Sequence, residues 1–158
     1  MNNWFWYENM EIKEFKTIDD FPQNSFGFIY RITNRVTGRF YIGRKSLYHN
    51  IKKKLTKAEL AEQSGPGRKA TTKKVHKESD WLKYWGSNKE ILSEIKNGGD
   101  LAFQKDIIKI VNTKKELTYW EIHYQCQYNV LLTDSYNDNI LGKFFKKDFA
   151  PNILLHTL

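Results

Sequence analysis

Two tyrosines eleven positions apart, Tyr30 and Tyr41, each lie inside a short apolar run, Gly27-Phe28-Ile29-Tyr30 and Tyr41-Ile42-Gly43. The second run ends in a glycine and is followed at once by Arg44 and Lys45, so two phenols and two cations fall close together. A phenol can donate or accept a hydrogen bond, and a guanidinium or ammonium can hold an anion. Much later in the chain, Leu117, Trp120, Tyr124 and Tyr128 recur at helical spacing, and Glu121 falls within that apolar stripe. A carboxylate there is costly unless a cation compensates it. Glu121 therefore reads either as a metal ligand facing the tyrosines or as the partner of a core arginine.

The elements that must position these groups can be read from pattern. Residues 27–43 read as a β-hairpin whose longer loop, Asn34 to Gly38, carries turn chemistry. Strict alternation puts Tyr30 on the face of Phe28 and Ile32, but Ile29 on the opposite face is equally apolar. Pattern alone thus leaves Tyr30 open between a site and the core. Three capping-box patterns mark helix starts: Thr56-Lys57-Ala58-Glu59, Ser87-Asn88-Lys89-Glu90 and Thr113-Lys114-Lys115-Glu116. The first opens a short helix to Gln63. The second opens one with Ile91, Leu92 and Ile95 inward, stopped at Gly98-Gly99, and the third predicts a helix over 114–128. Leu101 to Val111 reads as a third strand. The order β-β-α-β-α suits a small α/β layer of three strands with helices packed on it. Trp4, Phe5, Trp6 and Tyr7 are too apolar for a free tail and are expected to pack on that layer. Ser46 to Asp80 reads as a mostly mobile insertion, and Trp81 to Gly86 as the return to the core.

Composition narrows the class. At 158 residues, with 40% hydrophobic and 15% aromatic content, the chain reads as one globular domain. No window approaches the roughly 18 apolar residues of a membrane span, and the start lacks the pattern of a signal peptide. One cysteine, Cys126, excludes an internal disulfide and fits a reducing compartment, so a cytoplasmic location is expected. Residues 39–77 carry twelve Lys or Arg against Glu59 and Glu62, whereas the formal net charge of the whole chain is +8, so the remainder sums to −2. Such concentration is the electrostatic footprint of a polyanion site. The four histidines (His49, His76, His123, His156) show no paired metal spacing, and no nucleotide-cradling glycine motif occurs.

The tyrosine hairpin with its terminal glycine resembles the opening of the GIY-YIG nuclease domain, most closely that of phage-encoded Seg-type endonucleases. The resemblance covers about residues 26–140. It implies an α/β fold with a small three-stranded antiparallel sheet flanked by helices, a basic insertion at about 46–80 after the hairpin, and a short tail at 141–158. It implies a metal-dependent DNA endonuclease. Phosphodiester hydrolysis needs an activated water, charge neutralisation at the phosphoryl oxygens and help for the leaving oxygen. In the family's terms Tyr30 is the general base or positions the water, and Tyr41 assists. Glu121 holds one divalent ion, Mg2+ or another such as Mn2+, and Asn137 of the Tyr136-Asn137 pair supports the site, with Asn139 near enough to compete. A phenol of ordinary pKa near 10 is a poor base at neutral pH, so the site is expected to lower it. Arg44 is the first candidate for the family's arginine, with Lys45 and Arg68 as alternatives, and its histidine would be His49 or His76. Lys45, Lys52, Lys53, Lys54, Lys57, Arg68, Lys69, Lys73 and Lys74 are candidate contacts to the backbone of double-stranded DNA, bound by a monomer or a DNA-induced dimer in the cytoplasm, that of the host if the gene is a phage's. A non-cutting DNA-binding protein of the same fold, or an RNA-binding module, are the rival readings.

Overall fold

The computed structural model of the protein describes residues 2–149; within the tail, residues 150–158 and with them His156 lie outside the described residues. Strands β1 (Trp4–Glu8) and β2 (Glu11–Phe15) form a hairpin turned at Asn9 and Met10, both at positive φ. Strands β3 (Gly27–Asn34) and β4 (Phe40–Ser46) form the expected tyrosine hairpin. The Asn34 side-chain oxygen ties its turn, accepting from the amides of Val36 and Thr37 at 3.0 and 3.2 Å. Strand β5 (Tyr48–Lys54), helix α1 (Lys57–Glu62) and strand β6 (Thr72–Glu78) make up the basic segment. Helix α2 (Lys89–Lys96), strand β7 (Phe103–Val111), helix α3 (Lys114–Gln127) and the short pair β8 (Asn139–Ile140) and β9 (Phe144–Phe145) follow.

The main sheet differs from expectation. It has five strands in the order β2-β1-β7-β3-β4. The antiparallel trio β7-β3-β4 is the predicted layer, but β1 joins β7 in parallel and brings β2 with it, so the sheet is mixed. The cause is the aromatic lead-in. Trp4 is fully buried and its indole N–H donates to the Trp81 carbonyl at 2.8 Å, so β1 fills core volume rather than resting on a finished sheet. The charged β2, with Glu11, Lys13 and Glu14 exposed, forms the outer edge, a device that discourages further pairing.

The basic segment is not a loop. β5 and β6 pair antiparallel over their whole length, with Ile51 opposite Val75, as a ribbon separate from the main sheet. Its backbone hydrogen bonds do not depend on the lysine side chains that hide the strand pattern. The base of the ribbon is pinned, because the Ser79 amide donates to the Leu47 carbonyl at 2.8 Å and its hydroxyl to the Ser46 carbonyl at 2.6 Å. Thr56 and Thr113 cap α1 and α3 as the sequence predicts. At α2 the cap is Asn88, not Ser87, and this leaves the Ser87 hydroxyl free to face the tyrosines. Ile91 is buried there as expected, whereas Leu92 is exposed.

The sheet buries both faces. Trp4, Phe15, Phe28, Tyr30, Ile32, Trp81 and Ile91 pack on one, and Ile29, Ile42 and Val111 pack with Leu117 of α3 on the other. One cation is sunk in the first core: Lys105 of β7 is 1% exposed. Its Nζ donates to the carbonyls of Leu82 and Tyr84 at 2.9 and 3.2 Å and lies 4.5 and 4.7 Å from the ring centroids of Trp4 and Trp85. It thereby ties the 81–86 segment to the central sheet. Burial lowers its pKa from 10.5 to about 7, while the carbonyls and indole faces favour the cation and oppose that shift. Above pH 7 the folded protein sheds this proton and the unfolded chain keeps it to about pH 10.4, so stability gains with rising pH across that window. In chemical denaturation between pH 7 and 9.5, the native protein is expected to gain stability relative to Lys105→Met; identical pH slopes for the two proteins would refute this.

Candidate active site

Strand β4 is the free edge of the sheet on the side of the tyrosines, so residues on both its faces can reach one opening. Tyr41, Gly43 and Lys45 point to the Tyr30 face, and Ile42 and Arg44 to the α3 face. Tyr30 lies directly opposite Gly43. A Cβ on Gly43 would collide with the Tyr30 hydroxyl and come within 2.6 Å of its Cζ and 2.9 Å of Tyr41 Cε1. Only glycine lets both phenol rings close over this point of the strand. On the other face, a Cβ on Gly27 would meet the Lys45 carbonyl at 2.5 Å and the Leu117 methyls at 3.2 Å. That close approach lets α3 settle on the hairpin and brings Glu121 to its place.

The inward line of α3 runs Leu117, Glu121 and Gln125, at i, i+4 and i+8, with Leu117 and Gln125 buried and Glu121 half-buried, as are the flanking Trp120, Tyr124 and Tyr128. The predicted stripe is thus rotated slightly, with Glu121 on its inner line. The Glu121 side chain is 19% exposed and faces Arg44, whose Nε lies 3.4 Å from Oε1. Arg44 Nη1 also donates to Thr118 Oγ1 at 2.5 Å. Glu121 is paired with an arginine, as one of the two sequence readings required, but the arginine is 40% exposed at the mouth of a cavity rather than in the core. Burial raises the Glu121 pKa, and Arg44 opposes the shift.

The free edge of β4 is closed by Asn137, itself 3% exposed. Its Oδ1 accepts from the Ile42 amide and its Nδ2 donates to the Ile42 carbonyl, both at 2.9 Å. Gln125 Nε2 donates to the same carbonyl at 3.2 Å, and the Tyr136 amide donates to the Phe40 carbonyl at 2.8 Å. Asn137 therefore acts as a one-residue strand, satisfying an edge amide and carbonyl between Tyr41 and Gly43. Asn139 is exposed; its Oδ1 accepts from the Gly142 amide at 2.9 Å, and it lines the same cavity as Asn137 without contacting the strand edge.

Tyr41, Arg44, Glu121 and Asn137 line one cavity of about 800 Å3, together with Ser87, Lys89, Glu90, Gln125 and Asp138. Tyr41 shares a 3.4 Å hydrogen bond with Ser87 Oγ. Tyr30 stands behind this wall, 1% exposed, its ring 6.1 Å from Tyr41 and 6.0 Å from Tyr84. Its hydroxyl points at Gly43 and Gly86. Burial drives its pKa well up, reinforced by Tyr41, Tyr84 and Glu121, and burial also raises that of Tyr41. The expected lowering is therefore absent in the protein itself, because burial dominates and the Glu121 carboxylate adds to it.

Other candidates fall elsewhere. Lys45 turns away, its Nζ 2.5 Å from an Asp80 oxygen and 3.9 Å from the Tyr84 ring centroid. Arg68 lies between α1 and β6, and His49 and His76 on the ribbon, so none lines the cavity. Lys52, Lys53, Lys54, Lys57, Lys69, Lys73 and Lys74 are exposed on the ribbon and its tip. The cavity residues missed from sequence are Ser87, Lys89, Glu90, Gln125 and Asp138. Gln125 alone had a signal, its position one helical turn past Glu121.

Two substitutions test this arrangement. Gly43→Ala must displace a tyrosine ring, and an overpacking cost of about 1–3 kcal/mol is expected in denaturant titrations. Asn137→Ala strips the Ile42 amide of its partner and leaves the Ile42 carbonyl with Gln125 alone, and a loss of about 1–3 kcal/mol is expected; a change under about 0.5 kcal/mol would show that the edge does not depend on it.

The family model described as "Putative endonuclease segE, GIY-YIG domain" matches residues 6–147. No curated protein and no solved structure matches the chain. The match takes in the first hairpin from Trp6, the tyrosine hairpin, the basic ribbon, all three helices and every residue of the cavity. The chain belongs to the segE-type GIY-YIG endonuclease domain family.

Proposed function

We propose that the protein is a metal-dependent endonuclease that hydrolyses phosphodiester bonds of double-stranded DNA, homing-endonuclease-like and phage-encoded. The observation that carries this reading is the convergence of Tyr41, Arg44 and the half-desolvated Glu121 on one open cavity, with Tyr30 directly behind. Among the described residues no cluster of three acid, histidine or cysteine groups forms a closed metal cage. A single carboxylate is nonetheless a fitting donor for Mg2+ or Mn2+, which keep several waters and use one or two carboxylates plus substrate phosphate. Glu121 would hold the ion, which when bound would neutralise charge on the scissile phosphate and on the departing 3′ oxygen.

The chain's own groups supply the rest. Arg44, already at the cavity mouth, has the planar donor fork that matches phosphate oxygens. Engaging a phosphate there means exchanging its contact with Glu121 for one with the substrate. Tyr41 lines the cavity and orients the attacking water, with Tyr30 packed behind it holding that wall; burial keeps both protonated, so neither is a phenolate base, and the water's proton leaves to solvent through the open cavity. Asn137 keeps the strand bearing Tyr41, Gly43 and Arg44 in register. The basic residues of the ribbon hold the duplex by its phosphates. One cavity cuts one strand, so a double-strand break takes two events or a dimer on the DNA.

The Arg44–Glu121 pair supports one competing reading, a DNA-binding protein whose arginine and acid neutralise each other. Supercoiled plasmid incubated with and without Mg2+ separates the two. The native protein is expected to give nicked or linear DNA only with the ion. Glu121→Ala and Tyr41→Phe, checked for fold and DNA binding, are expected to lose at least about 100-fold in rate. Tight binding with no cleavage across a range of divalent ions would favour the silent binder.

A further inference from the structure

The register of the β5–β6 ribbon places like charges face to face. Lys52 is directly opposite Lys74, and Lys53 is directly opposite Lys73. Opposed like charges destabilise a strand pair, and a two-stranded ribbon is marginal on its own. Only Lys73 has an acidic partner among the described residues, Glu59 at 2.8 Å. Successive rungs point to opposite faces. Lys52, Lys74 and Lys54 therefore project from one face, and Lys53, Lys73 and Lys77 from the other. A ribbon lying along one phosphate strand would need cations on one face only.

We infer that the ribbon enters the major groove of duplex DNA with its two faces turned to the two phosphate walls. The inference rests on the reading that duplex DNA is the substrate, and it adds where and how the arm engages. A strand layer with side chains on both faces is about 10 Å thick, which matches a major groove about 12 Å wide and exceeds a minor groove about 6 Å wide. The arm is also rigidly joined to the site. Only Leu47, buried at 1%, separates the end of β4 from the start of β5, and Tyr48 stacks on His76 across the ribbon base at 4.5 Å. Docking the ribbon in the groove thus fixes the strand that carries Tyr41 and Arg44 against the adjacent backbone.

The test is the salt dependence of duplex binding without divalent ions, for the native protein, Lys52→Ala/Lys74→Ala, Lys53→Ala/Lys73→Ala and the fourfold variant, each checked for fold. Each pair is expected to reduce the slope of log affinity against log salt by about 2, and all four together by about 3 to 4. Methyl green, which occupies the major groove, is expected to displace the native protein, while the minor-groove ligand netropsin is not. Loss of slope from one face only, displacement by netropsin alone, or equal affinity for an A-form RNA duplex, whose major groove is deep and narrow, would each overturn the inference. If the native protein nicks plasmid but the lysine variants keep its slope, the arm assignment fails while the nuclease stands. If the native protein does not bind duplex DNA at all, the functional reading fails with it.

Discussion

The site depends on a strand edge that is both free and satisfied. An unpaired edge strand exposes amides and carbonyls that must find partners. At the centre of β4 those partners come from one side chain: Asn137 answers the Ile42 amide and carbonyl, assisted by Gln125. This leaves the strand open to the cavity on either side of Ile42 while holding its backbone in sheet geometry. Were a further strand to pair here instead, it would cover the space that Tyr41 and Arg44 now line. The cavity and the sheet edge are one feature.

Glycine sets the second constraint. Tyr30 and Tyr41 occupy neighbouring strands on one face, and both rings meet over Gly43, where any Cβ would overlap them. Lys105 contributes from behind, fastening the 82–84 backbone whose continuation, through Tyr84 and Gly86, closes over the Tyr30 hydroxyl. A buried amine with carbonyl and indole partners is a costly support. It joins the central strand β7 to the segment that walls the tyrosines, so the rigidity of the site draws on the middle of the sheet.

Electrostatically, the site is divided. Glu121 and Arg44 form a pair at the cavity mouth, while burial disfavours ionisation of both phenols, Tyr30 in the core and Tyr41 at the cavity wall. A carboxylate that is partly desolvated and contacted by a single guanidinium nitrogen retains capacity for a hard cation. The ribbon carries the opposite sign outward, away from the acid.

The sequence by itself determined the local parts. The tyrosine hairpin, the Thr113 cap of α3 and the placing of Glu121 on its inward side follow from turn chemistry, a side-chain cap and a helical period, which act over a few residues. Those are the features a single chain segment can express. Tertiary structure decided what lies between segments. The parallel joining of Trp4–Glu8 to β7 is a non-local pairing, and no periodicity in the lead-in names its partner strand. Lysine-rich strands read as loop because side-chain polarity concealed a backbone ladder whose register only Ile51 and Val75 hint at. The burial of Tyr30 and the pairing of Glu121 with Arg44 rather than Lys45 turned on which face of the hairpin met α3. That choice was fixed by the close approach of Gly27 to Leu117, a contact spanning the length of the fold.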